Sequence, residues 1–185
     1  LLHLGPGFAN GIANLHNARK AAVPVVNIVG DHASSHSIYD APLSSDIFGI
    51  CRPVSDWLER TAGARTAASD AARAVAAARA APGRIASLLV PADAAWSADA
   101  ESAAAPLPVE GSAPVASSTI DRVAQALRSG RKSALLMRGP ATHRAGLEVA
   151  GRIAAGTGAR LMHAYFAPRI TQGAGLPRIE RTPYF

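Results

Sequence analysis

Two histidines and a carboxylate fall at the ends of apolar runs near the start of the chain. The run Leu1 to Leu4 carries His3 and stops at Gly5-Pro6-Gly7; the run Val23 to Val29 stops at Gly30-Asp31-His32. An imidazole titrates near neutrality, so His3 or His32 placed in a cleft can give or take a proton at physiological pH. Between the runs a helical pattern passes through Ile12, Leu15 and Arg19 and carries Asn10. The order is strand, tight turn, helix, strand. It sets polar groups at the carboxyl ends of two strands, where parallel α/β sheets bind their ligands. His3 could equally satisfy a turn carbonyl. The chain opens inside a strand without Met, which reads as a piece of something larger.

The bulk properties set the frame for that site. A chain of 185 residues makes one large domain or two small ones, and 49% hydrophobic residues suffice for a core. The formal charge is +6, yet the arginines are scattered through Arg52, Arg65, Arg84, Arg122 and Arg152. No basic run and no aromatic interleaving marks a nucleic-acid surface. A single cysteine, Cys51, excludes an internal disulfide and a cysteine zinc site. Neither a membrane-length apolar run nor a secretory signal is present, and a cytoplasmic location is expected. The remaining histidines, His16, His36, His143 and His163, lack metal-ligand spacing, so no metal site is expected within the chain. Ser34, Ser35 and Ser37 form no nucleophile elbow.

The pattern predicts an α/β fold of parallel sheets flanked by helices, in two incomplete Rossmann-like units. The first occupies residues 1–93, a Pro-, Ala- and Ser-rich linker 94–116, and the second 117–185. In the first, a polar loop spans Asp31 to Asp46, long enough to suggest function. A short helix is expected at Ser55 to Thr61 and an alanine-rich one at Ala67 to Ala81, ended by Pro82-Gly83. A strand from Arg84 to Val90, closed by Pro91, follows. In the second unit, a helix capped by Ser117 or Ser118 has Ile120, Val123, Ala124 and Leu127 on one face. A strand at Ser133 to Met137, a helix at Ala145 to Ala155 and a strand at Ala159 to Phe166 come next, with irregular chain after Pro168.

One rival motif overlaps the opening. Gly5 and Gly7 begin a G-x-G-x-x-G fingerprint, and Asp31 stands where a ribose-binding acid belongs. Asn10 replaces the third glycine, and Pro6 removes an N–H that should face a pyrophosphate. An NAD(P)- or FAD-binding Rossmann oxidoreductase is therefore the alternative; a non-catalytic α/β interaction protein is a third.

The segment GPGFANGIANLHNARKAAVPVVNIVGDH resembles the pyrimidine-binding domain of thiamine-diphosphate-dependent enzymes of the acetolactate synthase, pyruvate oxidase and benzoylformate decarboxylase group. The segment RKSALLMRGPATHRAGLEVAGRIAAGTGARLM is similar to the start of their central domain. The best resemblance is to acetolactate synthase large subunit-like sequences. It implies an enzyme of branched-chain amino acid biosynthesis type that decarboxylates a 2-keto acid and transfers or releases the acyl carbanion. It implies thiamine diphosphate and Mg2+ as cofactors, and a homodimer or homotetramer with sites shared between subunits. By the same resemblance Asn10 lies close to the pyrimidine ring, Gly5, Pro6 and Gly7 shape the substrate pocket wall, and His3 matches a pocket histidine of benzoylformate decarboxylase. Asp31 and His32 stand where acetolactate synthases usually carry a glutamine, and could line the pocket. The family's catalytic glutamate is expected before residue 1 and its diphosphate-binding domain after residue 185. Glu59, Glu101, Glu110, Glu148 and Glu180 fall in the wrong elements, and no Gly-Asp-Gly signature occurs. The isolated chain is thus expected to be inactive.

Overall fold

The first strand is short because the backbone turns left-handed at Leu4, with φ of 55°. Strand β1 is Leu2–His3, and helix α1 runs from Leu4–Lys20. Gly5-Pro6-Gly7 is thus the first turn of α1 and not a separate turn ahead of it. Proline is tolerated there because the first N–H groups of a helix have no internal partner. This is a computed structural model; it describes all residues except 101, 102, 110, 112, 174 and 185. Glu101 and Glu110, two of the carboxylates weighed above, lie outside the described residues. The chain divides into two compact units, Leu1–Gly111 and Ser112–Phe185.

In the first unit, α1 leads into β2 (Val25–Asp31), then α2 (Ile47–Cys51), β3 (Trp57–Arg60), α3 (Ala64–Arg79), β4 (Ile85–Pro91) and α4 (Ala92–Trp96). The sheet order is β1-β2-β4-β3, with every pair parallel. The helix expected at Ser55 to Thr61 is instead strand β3. Four residues are too few to show a period, and pairing with β4 decides the matter: the Asp56 N–H bonds the Ile85 carbonyl at 2.8 Å, and Asp56 Oδ2 accepts the Ile85 N–H at 3.0 Å. The helical turn falls earlier, at α2, where Asp46 caps by accepting the Gly49 N–H at 2.9 Å. Helix α4 occupies the start of the stretch read as linker; the described residues from Ser97 to Ala116 form neither helix nor strand.

Alternation along the central strands builds the two faces of this sheet. Val29, Ile85 and Leu89 pack with Phe8, Ile47 and Cys51 beneath α1 and α2. Ala86 and Leu88, with Val26 and Ile28, meet Ala74 and Ala78 of α3. Alanines on α3 let the helix lie close to the strands. One polar chain crosses the first face: Asn27 Nδ2 donates to Ser87 Oγ at 3.1 Å, and Ser87 and Ser55 hydroxyls bond at 2.7 Å. Buried amides and hydroxyls require such partners.

The second unit contains α5 (Ser117–Arg128), β5 (Ala134–Met137), a 3-10 turn (Gly139–Thr142), α6 (Arg144–Thr157), β6 (Arg160–His163) and β7 (Glu180–Arg181). Its parallel sheet has the order β5-β6-β7. Strand β6 stops at His163, short of the expected Phe166, and β7 lies in sequence that looked irregular. Met137, Leu147, Ala150 and Leu161 form the core. Helix α5 is capped at Ala116 without a side-chain bond and buries no residue, so the serines do not cap it.

Candidate functional site

All four strands of the first sheet run the same way, so their carboxyl ends share one edge. That edge gathers His3 from β1, Asp31 from β2, Arg60 from β3 and Pro91 from β4. Arg60 reaches over β4 to pair with Asp31 Oδ2. The Asp31 side chain is 9% exposed and that of Arg60 38%. The second Asp31 oxygen accepts the His32 N–H at 2.8 Å. This pair closes the edge electrostatically: a carboxylate nearly out of water is matched by a guanidinium that stays half in it.

His32 follows directly. Its Nε2 atom is buried and has no hydrogen-bond partner among the described residues, an exception to the rule that buried polar atoms are paired. Its ring stands 5.4 Å from that of His36, which stands 5.6 Å from Tyr39. The loop carrying these rings is tied down at Ser34. The Ser34 N–H donates to Asp93 Oδ1 at 2.9 Å, and the hydroxyl at 3.3 Å. That backbone N–H holds the Asp93 carboxyl below the usual carboxylate range, with the hydroxyl adding to it. Beside Asp93 a cleft of about 500 Å³ opens at the N-terminus of α3, lined among others by Gly63, Arg65, Thr66, Asp93 and Asp99.

The expected site residues divide into two groups. His3, Asp31 and His32 come to the same edge. Gly5 is buried in the first turn of α1, and Ser45 fills the space where its side chain would stand. No room remains there for a pyrophosphate, which counts against the dinucleotide reading. Gly7 faces the Cβ of His3 at 3.6 Å, measured from where its own Cβ would be. Asn10 is exposed. It lies two residues past Phe8, about 200° around the helix from that core position, so it points away from its own sheet. Arg60 and Asp93 escaped the sequence reading. Arg60 falls in a segment whose sequence predicts a helix, and only pairing with β4 makes it a strand end. Asp93 stands just beyond the closing Pro91, where the rule that parallel strands end at the ligand edge points.

The donor set suits a polar organic group. Among the described residues no cluster of three His, Cys, Asp or Glu side chains could hold a metal ion. No helix of these residues is long and apolar enough to cross a membrane.

Comparison with known proteins gives this arrangement a relative. No family model matches the chain. Over all 185 residues it is 48% identical to the acetolactate synthase large subunit-like protein IlvX of Mycobacterium tuberculosis (strain ATCC 25618 / H37Rv). The chain is thus similar in sequence to one part of an acetolactate synthase large subunit-like protein. It spans 35% of that protein's length. Two solved structures share the fold. A thiamin diphosphate-dependent enzyme of Mycobacterium smegmatis superposes with a TM-score of 0.73 at 25% identity, over 91% of this chain and 32% of that one. The thiamine diphosphate-dependent 4-hydroxybenzoylformate decarboxylase of Rhodococcus jostii RHA1 gives 0.74 at 20% identity, over 88% and 32%.

Proposed function

We propose that these residues supply one wall of a thiamine-diphosphate site in an enzyme that decarboxylates a 2-keto acid and transfers or releases the acyl group. The observation that carries the reading is the meeting of His3, the Asp31–Arg60 pair and the unpartnered His32 Nε2 at one sheet edge. When bound, the cofactor supplies the electron sink for the breaking C–C bond. The protein's part is orientation and proton handling. His3 is exposed at the edge and can hold or move a proton on the substrate oxygen. His32 Nε2, once uncovered by a shift of its loop, would hold a polar group by a hydrogen bond. Arg60, half-exposed beside Asp31, attracts the keto acid's carboxylate.

Asn10 lies on the open side of α1, where a site completed by a second protomer would reach it; this fits a homodimer or homotetramer. Gly5, Pro6 and Gly7, as the first helical turn, set the wall behind His3. Mg2+ belongs with the diphosphate, which other residues than these must hold, and the 185-residue chain alone is expected to be inactive. A cytoplasmic setting suits such an enzyme. Titration calorimetry of the full gene product tests the reading. Saturable heat with thiamine diphosphate plus Mg2+, none with NAD, and CO2 release from a 2-keto acid are expected. Binding of NAD without thiamine diphosphate would overturn it.

A further inference from the structure

We propose that Gly30 is a positioning residue that sets the orientation of the His3 imidazole; this rests on the proton role given to His3 above. His3 and Gly30 are direct partners in the parallel pairing of β1 and β2. Partnered residues stand side by side on the same face of a sheet, so whatever Gly30 carries must share space with the imidazole. A Cβ built on Gly30 would lie 3.2 Å from His3 Nδ1, and among the described residues beyond its two chain neighbours the only other atom within 4 Å is the Leu2 carbonyl oxygen, at 3.9 Å. The ring therefore meets the strand by its Nδ1 edge. Nε2 lies farther from Gly30 and is the nitrogen left for a ligand.

The backbone does not explain this glycine. Gly30 is absent from the positions with positive φ, and it sits inside the regular ladder of β2, paired on both sides with His3 and Val90. Glycine weakens a strand interior and commonly marks a close approach by another group. Here the approaching group is the imidazole. A side chain at position 30 would be opposed by a ring end that is free on its exposed side, while the strand itself is held by two neighbours. The ring gives way first.

The other side of His3 is fixed as well. Leu4, the next residue, takes the left-handed conformation and is 3% exposed, so core packing anchors the turn that follows the histidine. With the backbone held by Leu4, the glycine at position 30 leaves the space that the Nδ1 edge of the ring uses.

The test is a double-mutant cycle of G30A and H3Q in the full gene product, read by kcat, KM and the pH profile. The His3 Cε1–H NMR signal is followed in the 185-residue chain. G30A is expected to fold and to lower kcat several-fold, because a 3.2 Å contact moves the ring by a few tenths of an ångström and a shift of about 1 Å would cost about 10²-fold; it should leave KM nearly unchanged and move the His3 signal. In the H3Q background G30A should cost nothing further. Equal losses of kcat in both backgrounds, or an unmoved His3 signal, would overturn the proposal. If H3Q alone keeps full kcat, the proton role of His3 fails, while a His3 signal displaced by G30A still supports the contact. If G30A folds poorly, restoration of folding by H3A supports steric opposition between the two residues, and persistent failure refutes it.

Discussion

Gly5→Ala separates helix propensity from packing, because the two predict opposite signs. Gly5 lies in the first turn of α1 with a negative φ, where the interior-helix advantage of alanine, about 1 kcal/mol, is an upper limit because Pro6 disfavours the α region for a preceding residue with a Cβ. The space for its methyl group is already taken by Ser45 Oγ and Cβ. The Ser45 Cβ cannot swing aside without moving the backbone that enters α2. Forcing a methylene into such a contact costs about 1–3 kcal/mol, which outweighs the propensity gain across most of its range. We expect G5A to lower the unfolding free energy by a net amount on the order of 1 kcal/mol, and the urea midpoint with it. Ser45→Gly removes both opposing atoms, so the double variant should be at least as stable as S45G alone. The coupling between the two sites should exceed about 0.5 kcal/mol, as found for residues in contact. Urea unfolding of the four chains, followed by far-UV circular dichroism, measures this directly. A G5A chain as stable as the parent, or a double variant that simply sums the two losses, refutes the argument.

Other consequences follow from buried groups. Ser87→Ala strips Asn27 Nδ2 of its acceptor in a fully buried setting and should cost about 1–3 kcal/mol in urea unfolding; a neutral outcome would mean that water reaches the amide. Burial pushes the Cys51 thiol from 9.0 up to about 12. It should resist a disulfide reagent in the native state and react fully in denaturant, and equal rates would contradict the packing. Because the folded value is raised, that thiol's contribution is intact below pH 9.0 and is lost as pH rises towards 12. Asp93 has the opposite sign: its folded value lies below 3.8, so its contribution is present above that pH and is lost as acid passes through the lower value. Urea midpoints between pH 5 and pH 2.5 should fall more steeply for the parent than for Asp93→Asn, and parallel curves would remove the Ser34 bond from the account.

Several elements were legible from local chemistry. The Val-rich run that became β2 and the Ile85–Pro91 strand are near-continuous apolar segments, as strands buried on both faces must be. The alanine-rich α3 was readable from propensity and from Pro82-Gly83 beyond its end. The strand β3 was not, because Trp57–Arg60 has no period of its own and is a strand only through pairing with β4. The turn α2 was hidden in an apolar stretch that a core strand would match equally well, and β7 is two exposed residues paired with β6.

The sequence by itself determined that His3, Asp31 and His32 stand at strand ends, since apolar runs and their stops are encoded locally. Only the tertiary structure decided that Arg60 crosses β4 to Asp31, that Ser34 binds Asp93, and that Asn10 faces outward from its sheet. The first two depend on the strand order β1-β2-β4-β3, which brings together residues 29 and 59 positions apart; the third depends on the packing of Phe8 beneath α1. No local pattern in a chain records which of its strands will lie side by side.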